Sequence, residues 1–254
     1  MIDLGLPIDW RLLVAFLTLL LAGAAKAVTG MGVPVAGVPI LVALYGDLRL
    51  TLLVTIMSTA VSDLPMLWRY RRQYREAVPL AGFLLCSIAG IFIGTKILTL
   101  VNPAILCGLL AAIVVVFIPI SWFGKVPTMS PVVAARLGPF LGLLCGVVQG
   151  TAGASGPIVT SFLISIKLSR DSFLFAIIAM FAVLDWTQFV SLQLLRLTTW
   201  SIFLISVAIL IVVFAGMAFG FAIQKHINDQ VFRRGVLVML AIAAIGLIIR
   251  ASRG

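Results

Sequence analysis

Lys26 is the residue whose type and position most strongly suggest chemistry. It lies in 23-GAAKAVTGMGVPVAG-37 and is the only charged residue between Arg11 and Asp47. A lysine well inside an apolar segment costs several kcal/mol unless it has a charged partner or a wet cavity. A bound anion would be such a partner. Two alternatives stay open: a lysine that snorkels to the membrane interface, and an ion pair with Asp63.

A second stretch of the chain repeats this pattern. KAVTGMGVP at 26–34 aligns with QGTAGASGP at 149–157 at an offset of 123 residues, which pairs Lys26 with Gln149. Gln149 offers two neutral N–H donors where its counterpart offers a charge. A site with one charged donor and one neutral amide suits an anion that must also be released better than a site with two charges does.

A second match supports an internal duplication. GIFIGTKILTLVN at 90–102 aligns with GMAFGFAIQKHIN at 216–228 at an offset of 126 residues, and both carry a Gly-x-x-x-Gly pair that favours close helix packing. Two separated matches at nearly one offset argue for duplication more strongly than one motif does. We therefore predict a single transmembrane transporter domain, 1–254, with homologous halves of roughly 1–125 and 126–254.

Both glycine-rich stretches predict a break in a membrane helix. Each is followed by a proline in the first turn of a predicted short helix, at 35–44 and at 158–166. Unpaired N–H groups and the positive end of the helix dipole make such a terminus an anion site, glycines allow close approach, and hydroxyls add donors. The predicted substrate-binding residues are Lys26, Thr29, Gly30, Gly32, Gln149, Thr151, Gly153, Ser155 and Gly156.

Two acidic residues in the apolar segments are candidates for proton coupling. Asp63 lies in TAVSDLPML and Asp185 in FAVLDWTQF. A buried aspartate exchanges protons near neutral pH, so either residue can serve a proton-coupled cycle. The alternative is structural, an aspartate that bonds Thr187 or pairs with Lys26. Trp186 is a candidate for the pocket wall, although membrane-interface belts are the commoner place for tryptophan.

The composition shows what must position these residues. The 254-residue chain is 63% hydrophobic and 10% charged, and its apolar segments are long and continuous, which predicts an all-α polytopic membrane protein. Its net charge of +10 lies mostly at segment ends, which is typical of topology signals and not of nucleic-acid binding. We expect no nucleic-acid partner, no metal and no cofactor, and the P-loop sequence of ATP-driven transport is absent.

The loop charges predict an orientation for the two halves. Two apolar segments, 12–46 and 132–168, would form helices of about 52 Å and about 55 Å, against a hydrocarbon core of about 30 Å. If each segment crosses the membrane once, the 17 loop and terminal Lys and Arg divide ten against seven between the two sides, and if each turns back they divide eleven against six. We therefore expect inverted repeats, each with a Gly/Pro-broken re-entrant helix pair plus three transmembrane helices. The positive-inside rule then places both termini outside the cytoplasm.

The duplicated glycine stretches resemble those of the TauE/SafE family of sulfite or organosulfonate exporters. GAAKAVTGMGVPVAGVPIL and GVVQGTAGASGPIVTSFLI share the frame G-x-x-x-x-x-x-G-x-x-x-P. The family has a denser glycine run, and methionine, alanine and serine occupy some of those places here. The resemblance implies transport of a small sulfur-containing anion, such as sulfite or a sulfonate, without ATP across the bacterial inner membrane, with periplasmic termini and export as the expected direction.

Two other functions stay open at this stage. One is transport of a different small anion, such as a carboxylate. The other is a membrane-embedded enzyme or a partner subunit that moves nothing itself, and the absence of an acid–base partner at fixed spacing makes an enzyme the weaker hypothesis. The expected partners are the lipid bilayer and a small anion. A homodimer is one assembly that is compatible with the sequence.

Overall fold

A computed structural model describes residues 10–72, 80–123, 128–166 and 168–223, and the regular structure in these ranges is helical. Six helices within these ranges are long and apolar enough to cross a membrane: Trp10–Thr29, Leu48–Tyr70, Ala81–Leu100, Val132–Ala152, Ser172–Leu194 and Trp200–Ile223. The prediction of a multi-pass helical membrane protein is confirmed. The apolar segment at 231–250 lies outside the described residues. The elements are α1 (Trp10–Thr29), a π-helical turn (Val33–Gly37), α2 (Val38–Tyr45), α3 (Leu48–Tyr70), α4 (Ala81–Leu100), α5 (Pro103–Phe123), α6 (Pro131–Ala152), α7 (Gly156–Ser165), α8 (Arg170–Leu194) and α9 (Trp200–Ile223).

The two overlong segments are broken at equivalent places. Helix α1 ends before Gly30, which has a φ of 77°, and α6 ends before Gly153, which has a φ of 62°. Glycine adopts this left-handed conformation without strain and so terminates each helix. Pro34 and Pro157 then lie in the first turn of the next helical element. The breaks follow local sequence closely, although the first short helix starts as a π turn that the sequence did not reveal.

In each half, the chain after the break contacts the chain that precedes it. A Cβ added to Gly37 would meet the Cβ of Ala22 at 3.6 Å, so the π turn lies against the last turns of α1. In the second half, Met129 N–H donates to Ser165 O at 2.9 Å, which joins the end of α7 to the segment before α6. In both halves, residues that follow the break therefore lie beside residues that precede it.

Glycines bring helices of opposite halves into backbone contact. A Cβ on Gly90 of α4 would collide with Leu143 O of α6, and a Cβ on Gly216 of α9 would collide with Leu20 O of α1. Leu20 and Leu143 are themselves related by the offset of 123 residues. Close helix packing is the role predicted for the Gly-x-x-x-Gly pairs, and the second glycine of each pair repeats the relationship.

These contacts also give the relative direction of the helices. Gly94 lies against Val147, one turn beyond the first contact on both helices, and Gly220 lies against Ala24 in the same way. Residue numbers rise together along each pair, so α4 runs parallel to α6 and α9 runs parallel to α1. Helices α3 and α8 pack together between the two pairs. This reciprocal exchange of contacts is the pattern that a two-fold relationship produces.

Candidate functional site

Lys26 lies in the last turn of α1 with its side chain enclosed. The residue is 1% exposed, and its ammonium group has three acceptors, all on α3. Lys26 Nζ donates to Thr59 O at 2.8 Å and to Ser62 Oγ at 2.8 Å, and it lies 2.7 Å from Asp63 Oδ1. Because an ammonium group has three N–H bonds, these contacts use all of its donor capacity.

The sequence of α3 explains why it can hold a lysine. Thr59, Ser62 and Asp63 are spaced three and four residues apart, so they share one face of the helix. The face is polar although the helix is otherwise apolar, and Asp63 is fully buried. A charge pair taken out of water is stable only when further hydrogen bonds complete it, which Thr59 and Ser62 provide. Of the interpretations left open by the sequence, the ion pair with Asp63 is therefore present in this state of the protein.

Gln149 forms a second buried polar centre in the last turn of α6. Its Nε2 donates to Asp185 Oδ1 at 2.9 Å and to Gln188 Oε1 at 2.9 Å. Its Oε1 accepts the Ser155 hydroxyl at 2.6 Å. Both amide N–H groups are bonded to α8, and the amide oxygen accepts from Ser155, the N-cap residue of α7.

Gln188 is a site residue that the sequence reasoning missed. It is fully buried, and its Nε2 donates to Gln149 O at 2.9 Å while its Oε1 accepts from the Gln149 side chain. This two-point contact fixes the orientation of the Gln149 amide. The available signal was an amide three residues after Asp185, one turn along the same helix, in a segment with few polar residues.

The two centres are equivalent in the sequence. Lys26 donates to Ser62 and Gln149 donates to Asp185, and each donor is 36 residues from its acceptor. Both pairs are related by the offset of 123 residues that aligns the glycine stretches. At equivalent positions, the first half has an ammonium group that donates to a hydroxyl, and the second half has an amide that donates to a carboxyl group.

The carboxyl groups of the two centres lie near each other. Asp63 on α3 and Asp185 on α8 lie close enough for their charges to affect each other, and both are fully enclosed. Within the described residues, Oδ2 of each carboxyl group has no hydrogen-bond donor. The centres therefore form one enclosed cluster that holds an ammonium group, two carboxyl groups and an amide. Such a cluster has the donors to bind an anion and the carboxyl groups to exchange a proton.

The predicted threonine donors are bonded to their own helices. Thr29 Oγ1 lies 2.9 Å from Ala25 O and 2.7 Å from Met31 O, and Thr151 Oγ1 donates to Val147 O at 2.7 Å. These bonds satisfy backbone carbonyls at the two helix ends. In this state the threonines shape the breaks, and a bound anion would have to compete for their hydroxyls.

The two breaks lie against each other. A Cβ on Gly156 would meet Val35 at 2.7 Å, and the Thr160 hydroxyl donates to Met31 Sδ at 3.2 Å. Gly32 has no room for a side chain, because Lys26 and the backbone of α1 fill that space. A small pocket between the short helices and α5 is apolar, lined by Val35, Pro39, Ile113, Val114, Ala154, Gly156 and Pro157. The buried polar side chains therefore lie in the cluster and not in this pocket.

Trp186 lies apart from the cluster. It is 36% exposed and packs edge-on against Phe189, with ring centroids 5.9 Å apart. Its neighbour Asp185 points into the protein because successive helix residues are about 100° apart. In this state Trp186 contributes to the outer surface of α8.

Comparison with known proteins gives one match. A family model described as sulfite exporter TauE/SafE matches residues 15–247, nearly the whole chain. No curated protein and no solved structure matches the chain. The resemblance drawn from the repeated glycine frame is thereby confirmed.

Proposed function

Because the chain belongs to the sulfite exporter TauE/SafE family, we propose that it is a secondary transporter that moves a small sulfur-containing anion, sulfite or an organosulfonate, across the inner membrane. The observation that carries the proposal is the enclosed cluster of Lys26 and Gln149 at two helix breaks within membrane-length helices. A buried ammonium group within a membrane helix is unfavourable in free energy, and a role in anion transport explains why the chain has one there.

The anion is held by groups from both breaks. Lys26 supplies the charge, Gln149 and Ser155 supply neutral donors, and the N–H groups at the start of α7 complete the set. The glycines at 30, 32, 153 and 156 keep the backbone close to the anion. These donors bind the anion after they have been released by their present acceptors, which include Asp63 and Asp185.

We infer that the halves are inverted and that each break is the tip of a re-entrant helix pair. The contact between the chain before and after each break supports this arrangement. So does the Arg69 guanidinium, which lies 4.8 Å from the Phe221 ring centroid and so brings the ends of α3 and α9 to one side. If the long segments crossed once, these two ends would lie on opposite sides. The positive-inside rule then makes that side cytoplasmic and the termini periplasmic.

The transport cycle exposes the cluster alternately to the two sides. Rocking of one inverted half against the other around a fixed site is the usual means in transporters of this construction. Asp63 and Asp185 are the proposed proton-coupling residues, since they contact the anion-binding groups and lie out of water. Export is the proposed direction.

Another small anion is the second candidate substrate. Ammonium, amide and hydroxyl donors recognise carboxylates as well as sulfonates, so the cluster alone favours neither. A panel of sulfite, sulfonates, thiosulfate and carboxylates should be tested for thermal stabilisation of the purified protein, because a ligand of the native state raises its apparent stability by mass action. We expect sulfite or a sulfonate to raise the melting temperature most. A larger shift with carboxylates would contradict the proposed substrate class.

A further inference from the structure

We propose that each anion binds together with one proton, because Asp63 and Asp185 occupy the donors that the anion needs. The inference rests on the proposed function and adds the sign and the number of the coupling. Proton and anion would then bind synergistically and cross the membrane in the same direction, instead of competing for the site in exchange.

The donors of the cluster are fully used by acceptors of the protein itself. All three N–H groups of Lys26 have acceptors on α3, and both amide N–H groups of Gln149 have acceptors on α8. An anion oxygen can therefore enter only by displacing an acceptor. Two of these acceptors, Asp63 and Asp185, are carboxyl oxygens, which resemble sulfonate oxygens in charge and hydrogen bonding. Asp63 and Asp185 are thus internal substitutes for the anion.

The charge of the cluster sets the number of protons. The titratable groups that face it are Lys26 from α1, Asp63 from α3, Asp185 from α8 and, beside Ser155, the Cys145 thiol from α6. Two carboxyl groups that share an enclosed site with one ammonium group hold one proton between them, because a second uncompensated charge out of water is strongly unfavourable. With that proton the cluster is neutral, as Lys26 balances the remaining carboxylate.

A second proton accompanies the anion. A monoanion added to the neutral cluster would leave one uncompensated negative charge in an enclosed site, which is strongly unfavourable. If a proton converts the remaining carboxylate to a carboxylic acid, that group releases its donor and the anion takes its place. The O–H bond formed on the carboxyl group is the only covalent change, and the total charge stays at zero.

Calorimetry of the purified full-length protein tests this directly. The probe is isethionate, a sulfonate that stays ionised over the whole working pH range, so its own titration does not contribute. Binding is measured from about pH 5.5 to about pH 8.5 in buffers of different ionisation enthalpy. We expect uptake of about one proton per anion in the alkaline range, where the affinity falls by about tenfold per pH unit, since the complex holds more protons than the free protein.

The possible outcomes separate this inference from the proposed function. Saturable binding with an affinity that is independent of pH, or that rises with pH with release of protons, overturns the inference and leaves the function standing. A lack of saturable binding at every pH contradicts the proposed substrate class itself, and the inference with it.

Substitutions identify the groups that take up the proton. The double variant Asp63→Asn/Asp185→Asn has no titrating carboxyl group, so we expect it to bind isethionate with no proton uptake and, at alkaline pH, more tightly than the wild type. Each single variant keeps one carboxyl group and retains the uptake. The control is Asp47→Asn at the exposed N-cap of α3, where asparagine also caps well. Unchanged uptake in the double variant overturns the assignment, and the wild-type titration stands even if that variant does not fold.

Discussion

The Lys26 ammonium group lies 2.7 Å from the Asp63 carboxyl group, and both side chains are enclosed where α1 breaks. This ion pair places the proposed anion-binding ammonium group beside a carboxylate that would compete with an anion. The same contact can be a structural element of the fold or the resting state of a binding site. Substitutions at both positions, with binding and stability measured separately, distinguish these two roles.

Replacing Lys26 with methionine should abolish sulfonate binding and destabilise the protein. Asp63 would be left buried without its partner, which costs about 3–5 kcal/mol. The double variant Lys26→Met/Asp63→Asn should recover most of the stability, because no unpaired charge remains, but should not recover binding. Thermal unfolding and calorimetry measure the two effects separately. Wild-type affinity in the stable double variant would show that Lys26 serves the fold alone.

Gln188 should act by positioning Gln149. Gln188→Leu leaves one amide N–H of Gln149 without a partner and removes one of the two bonds to the Gln149 carbonyl, which keeps the Gly153 N–H, with an expected loss of about 1–3 kcal/mol. We expect a weaker affinity for sulfonate, since the freed amide loses its orientation. Gln188→Glu should restore the contact to Gln149 Nε2 but not the contact to Gln149 O. Gln193→Leu, on the half-buried surface of the same helix, is the matched control. Equal effects of the two leucine substitutions on affinity would remove Gln188 from the site.

The paired glycines should respond alike in the two halves. Gly90→Ala and Gly216→Ala each place a methyl group against a backbone carbonyl, so both should destabilise the protein, by about 1–3 kcal/mol. Gly82→Ala on α4 is the control, because its Cβ would make only an ordinary contact at 3.4 Å with Pro139. We expect that change to be neutral or stabilising. Unfolding in detergent measures all three, and a tolerated Gly90→Ala would argue against this packing.

The orientation of the halves can be measured by labelling. In a background without the native cysteines, Arg71→Cys and Ser169→Cys should react with a membrane-impermeant maleimide from the same side, and Asn102→Cys from the other side. Inverted halves require this, because the ends of α3 and α7 then share the cytoplasmic side. Labelling of Arg71→Cys and Ser169→Cys from opposite sides would show that the halves are parallel.

Local sequence predicted the breaks better than it predicted their partners. Glycine and proline act within a few residues, so the ends of α1 and α6 follow from the sequence around Gly30 and Gly153. The acceptor of Gln149 lies 36 residues away, and contact at that distance depends on how helices pack. Lys26 and Gln149 could therefore be identified from their types and spacing, whereas the role of Gln188 required the fold.

Counterflow in liposomes that contain only this protein tests the central claim most directly. Liposomes loaded with unlabelled sulfite or isethionate are diluted into a trace of the labelled anion, and uptake is compared with protein-free liposomes and with the Lys26→Met/Asp63→Asn variant. We predict transient accumulation of the label in the wild type and in neither control. Uptake no faster than in protein-free liposomes would contradict transport of these anions by this chain, and would favour a membrane enzyme or a partner subunit.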